Sequence, residues 1–371
     1  MEKKYWKPSI TSQFRICSVP YRLDTYSGCV YDCAYCFSKC AQAFLRRNSE
    51  HPEFNYVVGL KTESFEKWIE RIMKKDYDYN RAEEVAFKER IPLKIGGMSD
   101  PFQPIEKSEK ITYKTLKILD KYNYPVELQT KNPKGFLDIC DEFLYSNITI
   151  AITLITADDK FSKIVEPNAP LPSKRLEAIK ELTDKGFNVM IKIQPAIYPK
   201  ILEDLPELIK MASKVGVWAF NIEGLKCAIS MPKSLQEEFQ GIGDYLNINM
   251  REFYKSERKY ECNRGSDYEL SNEKKREIFE IASRLSKEYD IKFFNADNYM
   301  DKKYGEGCEC CGTEKLKDYK LFPHDKRSLV YGNNKGSTEI GKCKANFLRD
   351  RTKTLKFKTL EEICEDFNKS N

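Results

Sequence analysis

The chain has 371 residues, room for one large α/β barrel or two domains, and an apolar share of 41% that supplies a real core. A charged share of 32% and a net charge of +6 describe a globular surface; the excess permits a nucleic-acid partner without requiring one. No run of about 18 apolar residues occurs and MEKKYWKPSI lacks a signal-peptide core, so no membrane span and a cytoplasmic location are expected.

Residues 1–20 read as a polar, proline-punctuated lead. Tyr21 to Tyr26 is strand-like and feeds a cysteine loop at 27–40. Residues 41–61 look irregular; Phe65, Trp68, Ile69, Ile72 and Met73 then recur at helical spacing. The lysine- and aspartate-rich stretch from Lys74 to Arg90 reads as a surface insertion.

From there strands and helices alternate. Strands are expected at Pro92–Ser99, Val126–Lys131, Asn147–Leu154, Asn188–Pro195 and Val217–Gly224. Helices are marked by Ile111 to Leu119, by Phe136 to Leu144, by Ser173 (as N-cap) to Lys185 with Gly186 as stop, and by Leu205 to Ala212. Alternation of this kind makes parallel sheets, so the expected fold is an α/β partial (β/α)6 TIM-type barrel with a C-terminal cysteine-containing extension. Its active site belongs at the C-terminal ends of the strands. The chain then divides into a lead (1–20), a barrel (21–225), a helical and strand extension packing on it (226–295) and a C-terminal segment (296–371). Within the extension, residues 225–270 carry no clear pattern, Ile278 to Leu285 marks a helix and Ile291–Asn295 a further strand. The tail closes on a short helix, Leu360 to Phe367.

Thirteen cysteines in a chain expected to be cytoplasmic argue for metal or redox chemistry rather than disulfides. The two histidines, His51 and His324, lie near no cysteine cluster, which speaks against imidazole-based mechanisms. Cys29, Cys33 and Cys36 are spaced C-x3-C-x2-C directly after the first strand. Three thiolates can hold three irons of a 4Fe–4S cube and leave the fourth open to a substrate. A structural zinc site normally closes with four ligands, often as two CxxC pairs, and no second pair lies nearby.

This loop closely resembles the signature of the radical S-adenosylmethionine (radical SAM) enzymes, with Tyr35 as the aromatic that packs near the adenine. The stretches SDPFQPIE (99–106), LQTKNP (128–133), EPNAPLPSKRLEAIKELTDKG (166–186) and IKIQPAIYP (191–199) narrow the likeness to the spore photoproduct lyase–related radical SAM proteins, over about Tyr21 to Gly224. The resemblance implies a 4Fe–4S cluster on the three cysteines, SAM on its open iron, and a flavodoxin- or ferredoxin-type reductant. It implies that Gly96, Gly97, Ser99 and Asp100 hold the methionyl ammonium, that Lys131 pairs with the SAM carboxylate, and that Thr153 lies near the ribose. Glu166 and Arg175 match the family's Glu-Pro and Arg, as an ion pair shaping a loop. Gln194, Asn221, Glu223 and Asn295 are further SAM or substrate contacts by position.

Spore photoproduct lyases carry a hydrogen-donating cysteine about where this chain has Met98, whose thioether has no S–H. The implied activity is therefore formation of a 5′-deoxyadenosyl radical that acts on a nucleobase in DNA or RNA, as modification rather than dimer repair. Cys227, Tyr299 and Tyr304 are candidate hydrogen donors. Peptide modification is the alternative within the superfamily; a non-catalytic iron–sulfur or zinc protein that binds nucleic acid or passes electrons is the alternative outside it.

A second set, Cys308, Cys310 and Cys311, with Cys343 as the nearest spare thiolate, reads as another metal centre, an auxiliary 4Fe–4S cluster ahead of zinc. Following the last strand so soon, it is expected to fold over the mouth of the barrel. Cys140 and Cys364 fall on apolar helical stripes and read as core; Cys17, Cys40 and Cys262 carry no assignment.

Overall fold

The computed structural model describes residues 3–4, 7–11, 17–46, 53–74, 76, 78, 81–229, 231–257, 267–297, 304–306, 310–321, 359 and 362. Eight strands form its main sheet, in spatial order identical to chain order: β1 (Ser9–Ile10), β2 (Tyr21–Leu23), β3 (Leu93–Ile95), β4 (Val126–Thr130), β5 (Ile148–Thr153), β6 (Val189–Ala196), β7 (Ala219–Gly224) and β8 (Lys292–Asn295). β1 pairs antiparallel with β2, and every pair from β2 to β8 is parallel. Strands form at all six expected places, but the first ends at Leu23, and Tyr26–Ser27 pairs instead with Val58–Leu60, within the stretch expected to be irregular. The further strand expected at Ile291–Asn295 is β8, which extends the sheet beyond β7.

The strands form because their residues serve two faces with a period of two. Ile95, Leu128, Ile150, Ile191 and Ile222 belong to one continuous apolar core under the helices. Burying each such side chain is worth about 1.5–3 kcal/mol. Residues between them in sequence turn to the concave side: Lys94 pairs with Glu127, Ala151 with Met190, and Lys192 with Asn221. That side is polar except for a small cluster of Ala151, Met190, Ala219 and Phe294.

Among the described residues, the helices of five or more residues are α1 (Phe37–Arg46), α2 (Thr62–Met73), α3 (Ala82–Lys88), α4 (Ile111–Asp120), α5 (Pro133–Leu137), α6 (Asp159–Val165), α7 (Pro172–Asp184), α8 (Lys200–Lys214), α9 (Lys233–Leu246), α10 (Met250–Glu257) and α11 (Asn272–Tyr289). Several differ from expectation, and α1 and α6 form where loop or irregular chain was expected. The stretch read as a surface insertion contains α3, whose Phe87 is buried and stacks on Tyr124 at 4.3 Å. The helix expected from Phe136 to Leu144 is split: α5 opens at Pro133 under the Asn132 cap, and Cys140–Phe143 forms a separate 3-10 turn. α7 starts at Pro172, one residue early, because proline's fixed φ suits the first helical position. Ser173 does not cap it; its hydroxyl donates to Asp159 at 2.6 Å.

The segment without a pattern, 225–270, supplies α9, α10 and a small antiparallel pair, Cys227–Ala228 with Asp267–Tyr268. Of the helix expected at Leu360 to Phe367 only Glu362 is described; Cys364 lies outside the described residues, as do Cys262, His51 and His324.

Candidate active site

The loop between Gly28 and α1 sits at the C-terminal end of the sheet and is fastened on three sides. Cys29 N–H donates to the Phe54 carbonyl (3.1 Å) and Ala34 N–H to that of Val165 (2.9 Å); the Asn168 amide donates to the Val30 carbonyl (3.1 Å). Gln103 does the rest: its amide nitrogen donates to Gly28 O (3.1 Å) while its oxygen accepts from Val30 N–H (3.3 Å). Gly28 is required, because its φ of +91° is left-handed and a Cβ there would lie 2.3 Å from the Tyr56 carbonyl oxygen. Asp32 takes φ 56°, a conformation aspartate tolerates better than most residues, and turns the chain between the first two cysteines.

The three thiols share this turn. Cys29 and Cys33 are buried and Cys36 is half-buried. Burial, with the Asp100 carboxylate close by, pushes the Cys29 thiol up to about 11; burial also raises Cys33, against the pull of Lys131. As the structure stands, no three His, Cys, Asp or Glu among the described residues enclose a point as a closed metal shell, and that holds for this loop. The donor set nevertheless fits three irons of a cube: three soft thiols on one anchored loop, with cationic Lys131 acting on Cys33.

Around the loop lie the other residues expected at the site. Gly96, at φ +94°, closes β3 so tightly that a Cβ would lie 2.2 Å from the Gln129 carbonyl oxygen, and Gly97 leaves room for the Arg22 side chain. Met98 N–H donates to Asp24 (2.7 Å), the Ser99 hydroxyl donates to the Tyr26 carbonyl, and Met98 Sδ lies 3.4 Å from the Ser38 hydroxyl at the head of α1. Asp100 is buried, and its carboxylate accepts from Phe102 N–H (2.9 Å), the Thr130 hydroxyl (2.7 Å) and Lys131 N–H (2.6 Å). It therefore clamps the end of β3 to the end of β4.

Lys131, Tyr35, Glu166 and Arg175 form one network. Arg175 is fully buried; it donates to the Pro170 carbonyl (2.7 Å), the Thr153 carbonyl (2.8 Å) and Glu166. The Tyr35 hydroxyl donates to the other oxygen of Glu166. Lys131 Nζ stands 3.9 Å from that oxygen and 5.7 Å from the centre of the Tyr35 ring. Burial works against charge on Glu166, but Arg175, Lys131 and the Tyr35 hydroxyl outweigh it and hold the carboxyl below its usual range. Burial likewise opposes the charge on Lys131, and Cys33, Glu166 and Asp100 more than restore it. The expected ion pair is present. Tyr35 is held by its hydroxyl, with its ring under the lysine.

The remaining candidates scatter. Thr153 and Gln194 are half-buried at the ends of β5 and β6. Asn221 is turned away from the loop, donating to the Cys310 carbonyl at 2.6 Å, and Glu223 is paired with Lys226. Asn295 accepts from Asp297 N–H at 2.9 Å. Cys227 is buried in the small antiparallel pair, and Tyr304 reaches Glu280 on α11 at 3.4 Å. Tyr299, Cys308 and Cys343 lie outside the described residues. Cys140 is buried among core residues, as expected.

Cys310 and Cys311, the described members of the second cysteine set, do not cover the mouth. Past β8, Glu306 N–H donates to the Phe293 carbonyl at 2.6 Å. Residues 310–321 then pass beneath the strand starts: Lys317 N–H donates to Asn147 (2.8 Å) and Arg90 to the Asp318 carbonyl (2.6 Å). Cys310 and Cys311 thus sit at the floor, opposite the loop, beside Cys17 from the other end of the chain. Gln103 and Cys17 are the residues that sequence reasoning missed. Gln103 lay in a motif quoted for its likeness alone, and Cys17 has no cysteine neighbour in sequence.

No protein-family model matches the chain. Among curated proteins it is 25% identical over 202 residues to an uncharacterized protein of Methanocaldococcus jannaschii, covering 54% of this chain and 67% of that one. It is 23% identical over 211 residues to an uncharacterized protein of Mycobacterium bovis, covering 55% of this chain and 58% of that one. An uncharacterized protein of Acidianus two-tailed virus is 32% identical over 79 residues, only 26% of its length. Among solved structures, a spore photoproduct lyase variant superposes with a TM-score of 0.54 at 14% identity, over 79% of this chain and 80% of that one. Spore photoproduct lyase complexed with dinucleoside spore photoproduct gives 0.52 at 15% identity, over 75% and 76%. These likenesses establish the fold: the resemblance read from the motifs is matched by the mostly parallel eight-stranded sheet.

Proposed function

We propose that the chain is a radical SAM enzyme acting on a nucleobase in DNA or RNA. The observation that carries the reading is the loop of Cys29, Cys33 and Cys36, fastened at the C-terminal ends of the parallel strands beside the Lys131–Glu166–Arg175 network. When bound, a reduced 4Fe–4S cluster supplies the electron that cleaves SAM to methionine and a 5′-deoxyadenosyl radical. The chain's own residues do the holding. Cys29, Cys33 and Cys36 are the cluster ligands; the Gly96–Gly97 turn brings backbone close to the methionyl end, and Lys131 offers an ammonium to a carboxylate in a partly dry site. Glu166 keeps that ammonium charged and in place, and Arg175 keeps Glu166 ionised. Gln103 fixes the loop to the β3 turn, so that cluster and SAM sites move as one body.

The nucleobase is favoured by the fold shared with a lyase seen in complex with a dinucleoside, and modification rather than dimer repair by the thioether of Met98 beside α1. A flavodoxin- or ferredoxin-type reductant in the cytoplasm is the partner this chemistry needs. Cys308, Cys310, Cys311 and Cys343 are proposed ligands of a second metal centre, a 4Fe–4S cluster.

The test is to incubate anaerobically reconstituted protein with SAM and dithionite and to measure 5′-deoxyadenosine. The wild-type chain is expected to form it and Cys33→Ala to form none. Intact SAM in the presence of a filled cluster would contradict the reading.

A further inference from the structure

Cys17 precedes β2, whereas Cys310 and Cys311 follow β8, yet the three meet beneath the half-barrel. Cys311 is in hydrogen-bond contact with both Cys17 and Cys310. Cysteines packed as small apolar groups would face apolar neighbours. These have such neighbours in Val19, Leu321 and Tyr319, but they face charge as well: Lys94 Nζ is 3.5 Å from Cys17 Sγ, and Lys192 acts on Cys311 from β6. The two lysines reach the buried Glu127 only at 3.9 Å each, and its Oε2 accepts no hydrogen bond. A floor of three thiols, two ammonium groups and one under-used carboxylate is short of negative charge, which burial makes costly. Deprotonated thiolates on a metal would supply that charge, since such centres are net anionic.

We propose that Cys17, Cys310 and Cys311 ligate one thiophilic metal centre at the floor of the half-barrel, with Lys94 and Lys192 balancing its charge. The inference rests on the second metal centre proposed above and adds to it a ligand from the other end of the chain. Loading replaces each S–H by a metal–sulfur bond and releases the proton to solvent. Zinc enters with no change of oxidation state, and a 4Fe–4S cube needs none when ferrous and ferric iron are supplied in equal amounts with sulfide. The centre then staples the lead before β2 to the segment after β8, joining chain ends that flank the sheet. Along β4, Glu127 at the floor and Lys131 at the mouth are four residues apart, about 13 Å of extended chain. The two cysteine sets are therefore separate centres at opposite ends of the strands.

The experiment removes the upper site and counts what remains. Full-length Cys29→Ala/Cys33→Ala/Cys36→Ala protein is purified anaerobically, loaded either with equal amounts of ferrous and ferric iron plus sulfide or with zinc, desalted, and assayed for iron, sulfide and zinc. It is expected to retain metal equal to one centre per chain: iron with sulfide identifies a cluster, zinc a single ion, and either supports the site. Adding Cys17→Ala, or Cys17→Ser to guard against misfolding, is expected to remove at least nine-tenths of that metal. A second readout needs no Cys17 variant: iodoacetamide labelling of Cys17, followed by mass spectrometry, should be blocked in the loaded chain and restored by a chelator. Metal retained in full without Cys17, or Cys17 labelled equally with and without metal, overturns the inference while the second centre survives. No retained metal in the triple variant overturns both, and leaves the three-cysteine loop untouched.

Discussion

Glu166 is almost completely buried and still charged, which is costly unless its partners are close and fixed. Arg175, itself without exposed surface, spends three of its donors on Glu166, Pro170 and Thr153, and so welds the loop before α7 to the end of β5. Glu166→Gln would leave the guanidinium buried without its counter-charge, an expected loss of about 3–5 kcal/mol. Chemical denaturation of the metal-free protein measures it; a variant within about 0.5 kcal/mol of wild type would show that the pair does not hold the loop. Lys131, Glu166 and Arg175 stood out in the sequence because they lie in motifs that resemble a family. Gln103 did not, because its role depends on a loop 73 residues away, to which it bonds. Nothing local in the sequence records a contact of that range.

Among the elements, the parallel strands were the easiest to foresee, because near-continuous runs such as Ile148 to Thr153 are what a two-sided buried strand needs. α3 was hidden by its charged surroundings. Its Glu84 has no exposed surface and takes hydrogen bonds from Arg71 (2.7 Å) and from Asp78 N–H (2.9 Å), tying α3 to α2. Burial opposes its charge, but the hydrogen bonds from Arg71 and Asp78 prevail, and the carboxyl titrates below its ordinary value of 4.5. Because the folded-state value is depressed, the stabilisation is complete above about pH 4.5 and is lost as pH falls through the folded value. Wild type is therefore expected to exceed Glu84→Gln by about 1–2 kcal/mol at pH 7, with the gap closing as pH falls through the depressed folded value. Denaturation curves at several pH values check this, and a gap independent of pH would refute the charge assignment. α9 and α10 escaped notice because 225–270 mixes aromatic and polar residues without a clean helical period, yet α9 reaches the cluster loop: Glu238 pairs with Lys39, which also holds Asp32 at 2.5 Å.

At the scale of the molecule, the sheet separates two environments. Its outer face is apolar and covered by helices, whereas its concave face carries Lys94, Glu127, Lys192 and Asn221 and is bounded by cysteines at both ends. The upper set was legible because its three cysteines are close in sequence; the lower was half legible, since the fold alone brings Cys17 to Cys310 and Cys311. A nucleic-acid substrate together with the net charge of +6 predicts binding of single-stranded DNA or RNA that weakens steeply with added salt. Gel-shift titrations at rising salt test this, and affinity indifferent to salt would point to another substrate class.

The central proposal is that Cys29, Cys33 and Cys36 hold a 4Fe–4S cluster with one iron free of protein ligands. Electron–nuclear double resonance on the reduced protein with SAM labelled at its amino nitrogen tests it most directly. Coupling of that nitrogen to the cluster is the predicted result; a cluster signal unchanged by SAM, with no nitrogen coupling, would contradict it.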